Sequence, residues 1–251
     1  MRFHRRWFST ARRKNSMRRV KRLLPGRPGN YFQKMKTRFA SALALLLAPV
    51  LFAQEIITPT NRIELFDGKD FSGFTFASRG TNPPTDTWTV TNGVIHCTGT
   101  PTGYLRTTQS YSNYVVTVEW RFVKVAPKKD NTGVLVHMQS PDKVWPVCVQ
   151  NQGKSGRQGD LFVMGGAECK EHLALKKDAN TPVAFVGAAN EHPVGEWDTN
   201  VTVCTGNHVQ AVINGRLMNE ISECTVSAGF IGIQSEGAEI EIRRIHLDPA
   251  E

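Results

Sequence analysis

Residues 114–124, YVVTVEWRFVK, alternate with a period of two: Tyr114, Val116, Val118, Trp120 and Phe122 fall on one face, Val115, Thr117, Glu119 and Arg121 on the other. The first set predicts the core face of a β-strand. Similar runs recur along the chain, among them RIELF, TWTV, GVIHC, GYLRT, GVLVHMQ, VWPVCVQ, DLFVM, NVTVC, HVQAVING, GFIGIQS and EIEIRRIHL. The dipeptides Asp67-Gly68, Asn92-Gly93, Asn214-Gly215 and Glu236-Gly237 lie between them as tight-turn material. Many short strands without sustained helical periodicity predict an all-β fold, a sandwich or jelly roll of two antiparallel sheets. Only AECKEHLALKK, residues 167–177, has helical spacing, and a long loop holding a turn or two of helix is expected there.

Charge changes the picture at one end only. The chain of 251 residues carries a formal +9, but 14 of its 31 Lys and Arg lie in residues 1–38, which hold no Asp or Glu. The remaining 17 basic residues face 22 acidic ones, a net −5, so no nucleic-acid footprint is expected of the folded part. The basic stretch leads into MKTRFASALALLLAPVLFAQ, with Lys36 and Arg38 before an apolar run from Phe39 to Leu51 and Ala53 as a small residue ahead of a cut. This predicts a signal peptide over residues 35–53, export to the periplasm or beyond, and a mature domain over 54–251 without a membrane span. Residues 1–34 read as a basic leader or a misassigned start, with Met35 the true initiator.

Export permits disulfides. Of the five cysteines, Cys204 and Cys224 bracket a hairpin-like stretch and are the first candidate pair; buried free thiols are the alternative. No CxxC spacing suggests zinc. On the strand alone, Glu119 and Arg121 read either as a cross-strand ion pair on a wet face or as ligand-facing groups.

The order of several segments carries more information. IELFDGKDFSGF is followed by WTVTNGVIHCTGTPTGYLRT and YSNYVVTVEWRF. Then come NTGVLVHMQSPDKVWPVCVQNQGKSGRQGD, PVGEWDTNVTVCTGNHVQAVINGRLMNE and GFIGIQSEGAEIEIRRIHL. From about residue 62 to 248 the chain resembles the 3-keto-disaccharide hydrolase domain family. The resemblance implies a concanavalin A-like jelly roll acting on carbohydrate, on glycosides whose C3 hydroxyl a separate sugar 3-oxidoreductase has already oxidised. A C3 ketone acidifies the C2 proton, so a base removes it and the C1 substituent leaves by β-elimination, with water adding afterwards. Such a site needs a base near C2, a donor for the enolate oxygen and an acid for the leaving group.

By that resemblance Glu119 is the candidate base or metal ligand, Arg121 the enolate stabiliser and His137 an acid, base or ligand. Glu119, His137 and Asp160 together are a candidate set for a divalent cation. Gln150, Gln152, Asp160, Glu196, Asn200 and Glu236 are candidate substrate-binding residues. Relatives have Glu where this chain has Gln150; an amide is no base, but it both donates to and accepts from sugar hydroxyls. That substitution makes a non-catalytic carbohydrate-binding module the alternative reading.

Overall fold

The computed structural model describes residues 55–80, 84–124, 131–178 and 180–250. The signal peptide, leader and cut site expected over residues 1–54 lie outside them. In chain order the strands are β1 (Ile56–Ile57), β2 (Ile63–Glu64), β3 (Phe74–Ser78), β4 (Trp88–Thr91), β5 (Val94–Cys97), β6 (Gly103–Thr107), β7 (Ser110–Tyr111) and β8 (Tyr114–Phe122). They continue as β9 (Gly133–Met138), β10 (Cys148–Gln152), β11 (Leu161–Met164), β12 (Asp198–Thr205), β13 (His208–Ile213), β14 (Arg216–Ile221), β15 (Phe230–Ser235) and β16 (Ile240–Pro249). One helix, α1 (Lys170–Leu175), lies where the helical spacing was read, with Cys169 as its N-cap.

Two antiparallel sheets make up the domain. The smaller has six strands in the order β11-β10-β9-β15-β6-β3; the larger runs β14-β13-β12-β8-β16-β5-β4, with β2 also paired to β16. β1 and β7 form a short parallel pair at the margin. The chain is a jelly-roll β-sandwich. Its interior is the alternation read from the sequence: Tyr114, Val116, Val118, Trp120 and Phe122 of β8 and Ile240, Ile242, Ile245 and Leu247 of β16 meet Val134, Val136, Val149, Leu161, Ile231 and Ile233 of the other sheet. A smaller apolar group, Tyr104, Leu135, Met138, Cys148 and Phe230, belongs to the opposite face of the six-stranded sheet. That second group makes β9 buried on both faces, which is why GVLVHM reads as a continuous apolar run.

Three local readings need correction. VWPVCVQ is not one strand: β10 begins at Cys148 and extends to Gln152, while Trp145 stays in the preceding loop. β3 and β14 were not read as strands; FTFAS is short, and RLMNEI has much of its surface exposed. The third correction concerns β9. Between the Phe230–Met138 and Gly232–Leu135 pairs the register slips, so β9 carries one residue more than β15. His137 takes the extra position with a φ of +54°. Strict alternation along GVLVHMQ would put it on the face of Leu135; instead it packs edge-on against Tyr114, ring centroids 5.8 Å apart, between the sheets.

All five cysteines are buried free thiols. The Cys204–Cys224 bond is not formed, because Cys204 points into the core from β12, where its thiol meets the Tyr114 hydroxyl. Among the described residues no helix is long and apolar enough to cross a membrane.

Candidate functional site

The outer face of the six-stranded sheet holds a groove of about 270 Å³, at the small end of ligand clefts. Its floor is Gln150 and Gln152 of β10, Phe162 and Met164 of β11, and Gln234 of β15; Glu236, Trp145 and Asn131 stand around it. Period-two geometry explains the floor. Gln150 and Gln152 are two apart on one strand, and Gln234 lies across Gly133 of β9 from Gln152 by the pairings on either side.

Gly133 is the residue that lets the three amides meet. A methyl group there would fall 2.7 Å from Gln150 Nε2 and 2.8 Å from Gln234 Oε1. In its absence Gln150 Nε2 donates to Gln152 Oε1 (3.0 Å) and to Gln234 Oε1 (2.9 Å). The direction of this chain is set at one end. Gln152 Oε1 also accepts from the backbone N–H of Gly153 (3.0 Å) and Lys154 (3.2 Å), which only an oxygen can do. Gln150 must then present nitrogen to it, and Gln234 must present oxygen to Gln150. The atoms left over are Gln152 Nε2, Gln150 Oε1 and Gln234 Nε2, a donor, an acceptor and a donor in that order. A carboxylate at position 150 would face the Gln152 oxygen that the backbone has already oriented towards it. Gln at this position is thus part of the amide chain.

Glu236 is the groove's carboxylate. Burial pushes its carboxyl above the ordinary range, while Arg79 and Lys154 oppose the shift without cancelling it. Along the same face, Arg106 of β6 holds Asp142 through two bonds of 2.7 and 2.8 Å and covers the Phe230 ring at 4.0 Å. The Tyr104 hydroxyl adds a third bond to Asp142 at 3.1 Å. This ties the loop that carries Trp145 down onto the sheet. Trp145 and the Tyr104–Arg106–Asp142 group were not singled out in the sequence. Trp145 was hidden by its placement inside a supposed strand.

The other candidates lie elsewhere. Glu119 and Arg121 are on the outer face of the larger sheet, on the far side of the sandwich. Glu119 pairs with Arg243 (2.6 Å) and Arg244 (3.1 Å), and Arg121 with Glu241 (2.6 Å). The guanidiniums of Arg121 and Arg243 each cover the Trp197 ring at 4.6 Å. Here the ion-pair reading holds, because the period of two that buries Trp120 necessarily points Glu119 away from it. Glu196 is exposed in the adjoining turn, beside the Gly195 carbonyl that accepts from Arg121.

His137 is in the interior, where burial pulls its ring down to about 4 and neither ring nitrogen has a hydrogen-bond partner. Asn200 is also between the sheets: Asn151 Nδ2 donates to its Oδ1 (3.0 Å) and to Thr202 Oγ1 (2.9 Å). Asp160 organises its own loop, accepting two bonds from Arg157 (2.7 and 2.6 Å) and one from the Phe185 N–H (2.9 Å). The candidate metal set therefore does not converge. Glu119, His137 and Asp160 occupy an outer face, the interior and a loop, and among the described residues no group of three His, Cys, Asp or Glu is placed to hold a metal ion. Gln150, Gln152 and Glu236 are the candidates that the fold brings together.

Sandwich and groove together define a lectin-like jelly roll with a small polar site on one sheet. Residues 61–248 match the model of the 3-keto-alpha-glucoside-1,2-lyase-like domain, and the chain belongs to that carbohydrate-directed family. No curated protein gives a significant sequence match. Among solved structures, a candidate glycosyl hydrolase from Parabacteroides distasonis superposes with a TM-score of 0.56 at 19% identity, covering 76% of this chain and 94% of that one. The carbohydrate-binding module CBM66 from Bacillus subtilis superposes at 0.51 with 11% identity, covering 70% and 95%. At these identities both likenesses concern the fold.

Proposed function

We propose that the chain cleaves 3-keto-glycosides in this groove, with Glu236 as the base. The observation that carries the reading is a carboxylate with a raised pKa beside an oriented row of amides, in a chain of the 3-keto-alpha-glucoside-1,2-lyase-like family. A raised pKa brings the base closer to neutral working pH, where a proton acceptor is most effective. Glu236 takes the C2 proton of a bound 3-keto sugar. The C–H electrons form the enolate, whose oxygen at C3 accepts from an amide N–H of Gln152 or Gln234. Collapse of the enolate breaks the C1–O bond, and the departing oxygen takes a proton from solvent or from Glu236. Water then adds across the new double bond. Trp145 supplies an apolar wall for the sugar ring. A separate sugar 3-oxidoreductase supplies the ketone.

A second reading, a carbohydrate-binding site without turnover, is favoured by Gln150 and by a floor made of amides. Incubation with a 3-keto-glucoside decides between them. Release of the free aglycone, lost in Glu236→Gln, supports cleavage; saturable binding with no product after prolonged incubation overturns it in favour of binding alone.

A further inference from the structure

We infer that Cys169 and Cys224 form a disulfide when the chain folds under oxidising conditions, and that this cross-link fastens one rim of the groove. The backbone places the two residues opposite each other. Thr225 N–H donates to the Glu168 carbonyl (2.9 Å) and Lys170 N–H to the Ser222 carbonyl (3.0 Å), so the segments on either side of the two cysteines are joined as in an antiparallel ladder. Cys169 sits between these bonds opposite both Glu223 and Cys224, with Glu223 the extra residue of a bulge at a φ of +53°. Side-chain bonds from Ser222 to the Glu171 carboxylate (2.7 and 2.8 Å) and from the Glu168 N–H to Thr225 Oγ1 (3.0 Å) hold the register.

The two thiols are 1% and 5% exposed, lie in one apolar cluster and share a hydrogen bond. That bond favours the Cys169 thiolate, the form that attacks a disulfide, while the Cys224 thiol is held protonated. Cys97 and Cys204 share that cluster but are engaged elsewhere, Cys97 by the Gly99 N–H and Cys204 by the Tyr114 hydroxyl, and Cys148 lies in the second cluster on the outer face. A small disulfide such as oxidised glutathione is the oxidant. The Cys169 thiolate displaces one glutathione thiol to give a mixed disulfide, and the deprotonated Cys224 sulfur then displaces the second. Two protein thiols are oxidised and one glutathione disulfide is reduced to two thiols. The loop so closed contains α1 and Asn180, which lines the groove. The proposal does not depend on which sugar, if any, is cleaved.

The test is reduction and unfolding of the full chain, refolding in a buffer of oxidised and reduced glutathione, alkylation, and peptide mass mapping without reductant. The expected result is one linked peptide pair containing Cys169 and Cys224, with the other three cysteines alkylated. In the refolded protein a reductant should lower the melting temperature by about 5–10 °C, and Cys169→Ser should abolish that dependence. Alkylation of all five cysteines, or a link from Cys224 to Cys204, overturns the inference; mapping of the unmodified sequence decides it even where the variant fails to fold.

Discussion

The two outer faces of the sandwich use polar residues in opposite ways. On the larger sheet every charge near the centre has an opposite partner at the surface: Glu119 with two arginines, Arg121 with Glu241. Such pairs satisfy one another and leave little for a ligand. On the six-stranded sheet three of the groove side chains are neutral amides more than nine-tenths buried, and the one carboxylate among the described lining residues, Glu236, is disfavoured in its charged form. A strong charge pattern marks the quiet face. The groove lies on the face whose residues look unremarkable one at a time.

The largest effect expected on this contrast comes from Glu236→Gln. Turnover of a 3-keto-glucoside should fall by roughly two to four orders of magnitude, the usual share of general base catalysis. Stability should move in the other direction. A carboxyl raised in the folded state contributes stability only at low pH and loses it as pH rises through the folded pKa. The wild type should therefore weaken between its unfolded pKa and neutrality by a component that Glu236→Gln lacks, seen in melting temperature against pH. A decline of the same size in both would remove Glu236 from the groove's chemistry.

His137 is a titratable group enclosed between the two sheets, and it carries the next effect. Its pKa is depressed from about 6.5 to about 4, so the stability it contributes is complete above 6.5 and is lost as pH falls through the folded value. The loss should total ~3 kcal/mol, read from denaturant unfolding at successive pH values. His137→Asn tolerates the positive φ and should show a lower but flatter acid limb.

Gly133→Ala should act on the groove with little harm to the fold, because two of the three atoms its methyl would meet are the ends of flexible side chains. Loss of the Gln150–Gln234 bond predicts sugar affinity weaker by about tenfold, roughly the worth of one hydrogen bond. Unchanged affinity would mean that the amide row does not touch ligand. The smallest effect belongs to the other face. Glu119→Gln should cost about 0–1 kcal/mol and leave turnover alone, whereas Val118→Ala next to it should cost about 2 kcal/mol by opening the core. A collapse of turnover in Glu119→Gln would reverse the comparison.

The sandwich was legible because burial writes itself as alternation: the five core residues of β8 could be read directly from their spacing. The site was only half legible. Alternation tells which residues share a face but not whether that face is wet, charged or grooved, so it offers Glu119 as the base and Gln150 as a binding residue without showing that they lie on opposite sides of the sandwich. His137 was misplaced because one extra residue in β9 reverses the parity, and nothing in GVLVHMQ announces a bulge. Trp145 and Glu236 reach the groove from a loop and a strand end, where spacing carries no directional information. The third amide, Gln234, became informative only once Gly133 was seen to separate it from Gln150.

The backbone bonds at Gly153 and Lys154 have a reach beyond their own turn. Two peptide N–H groups fix the sense of Gln152, Gln152 fixes Gln150, and Gln150 fixes Gln234, which lies two strands away. The groove therefore has a polarity that cannot be reversed one residue at a time; to offer a ligand the mirror pattern, all three amides would have to rotate together, the Lys154 N–H would lose its acceptor and the Gly153 N–H would keep only the Thr132 carbonyl. The pattern offered is a single collective choice, and the turn at Gly153 and Lys154 makes it.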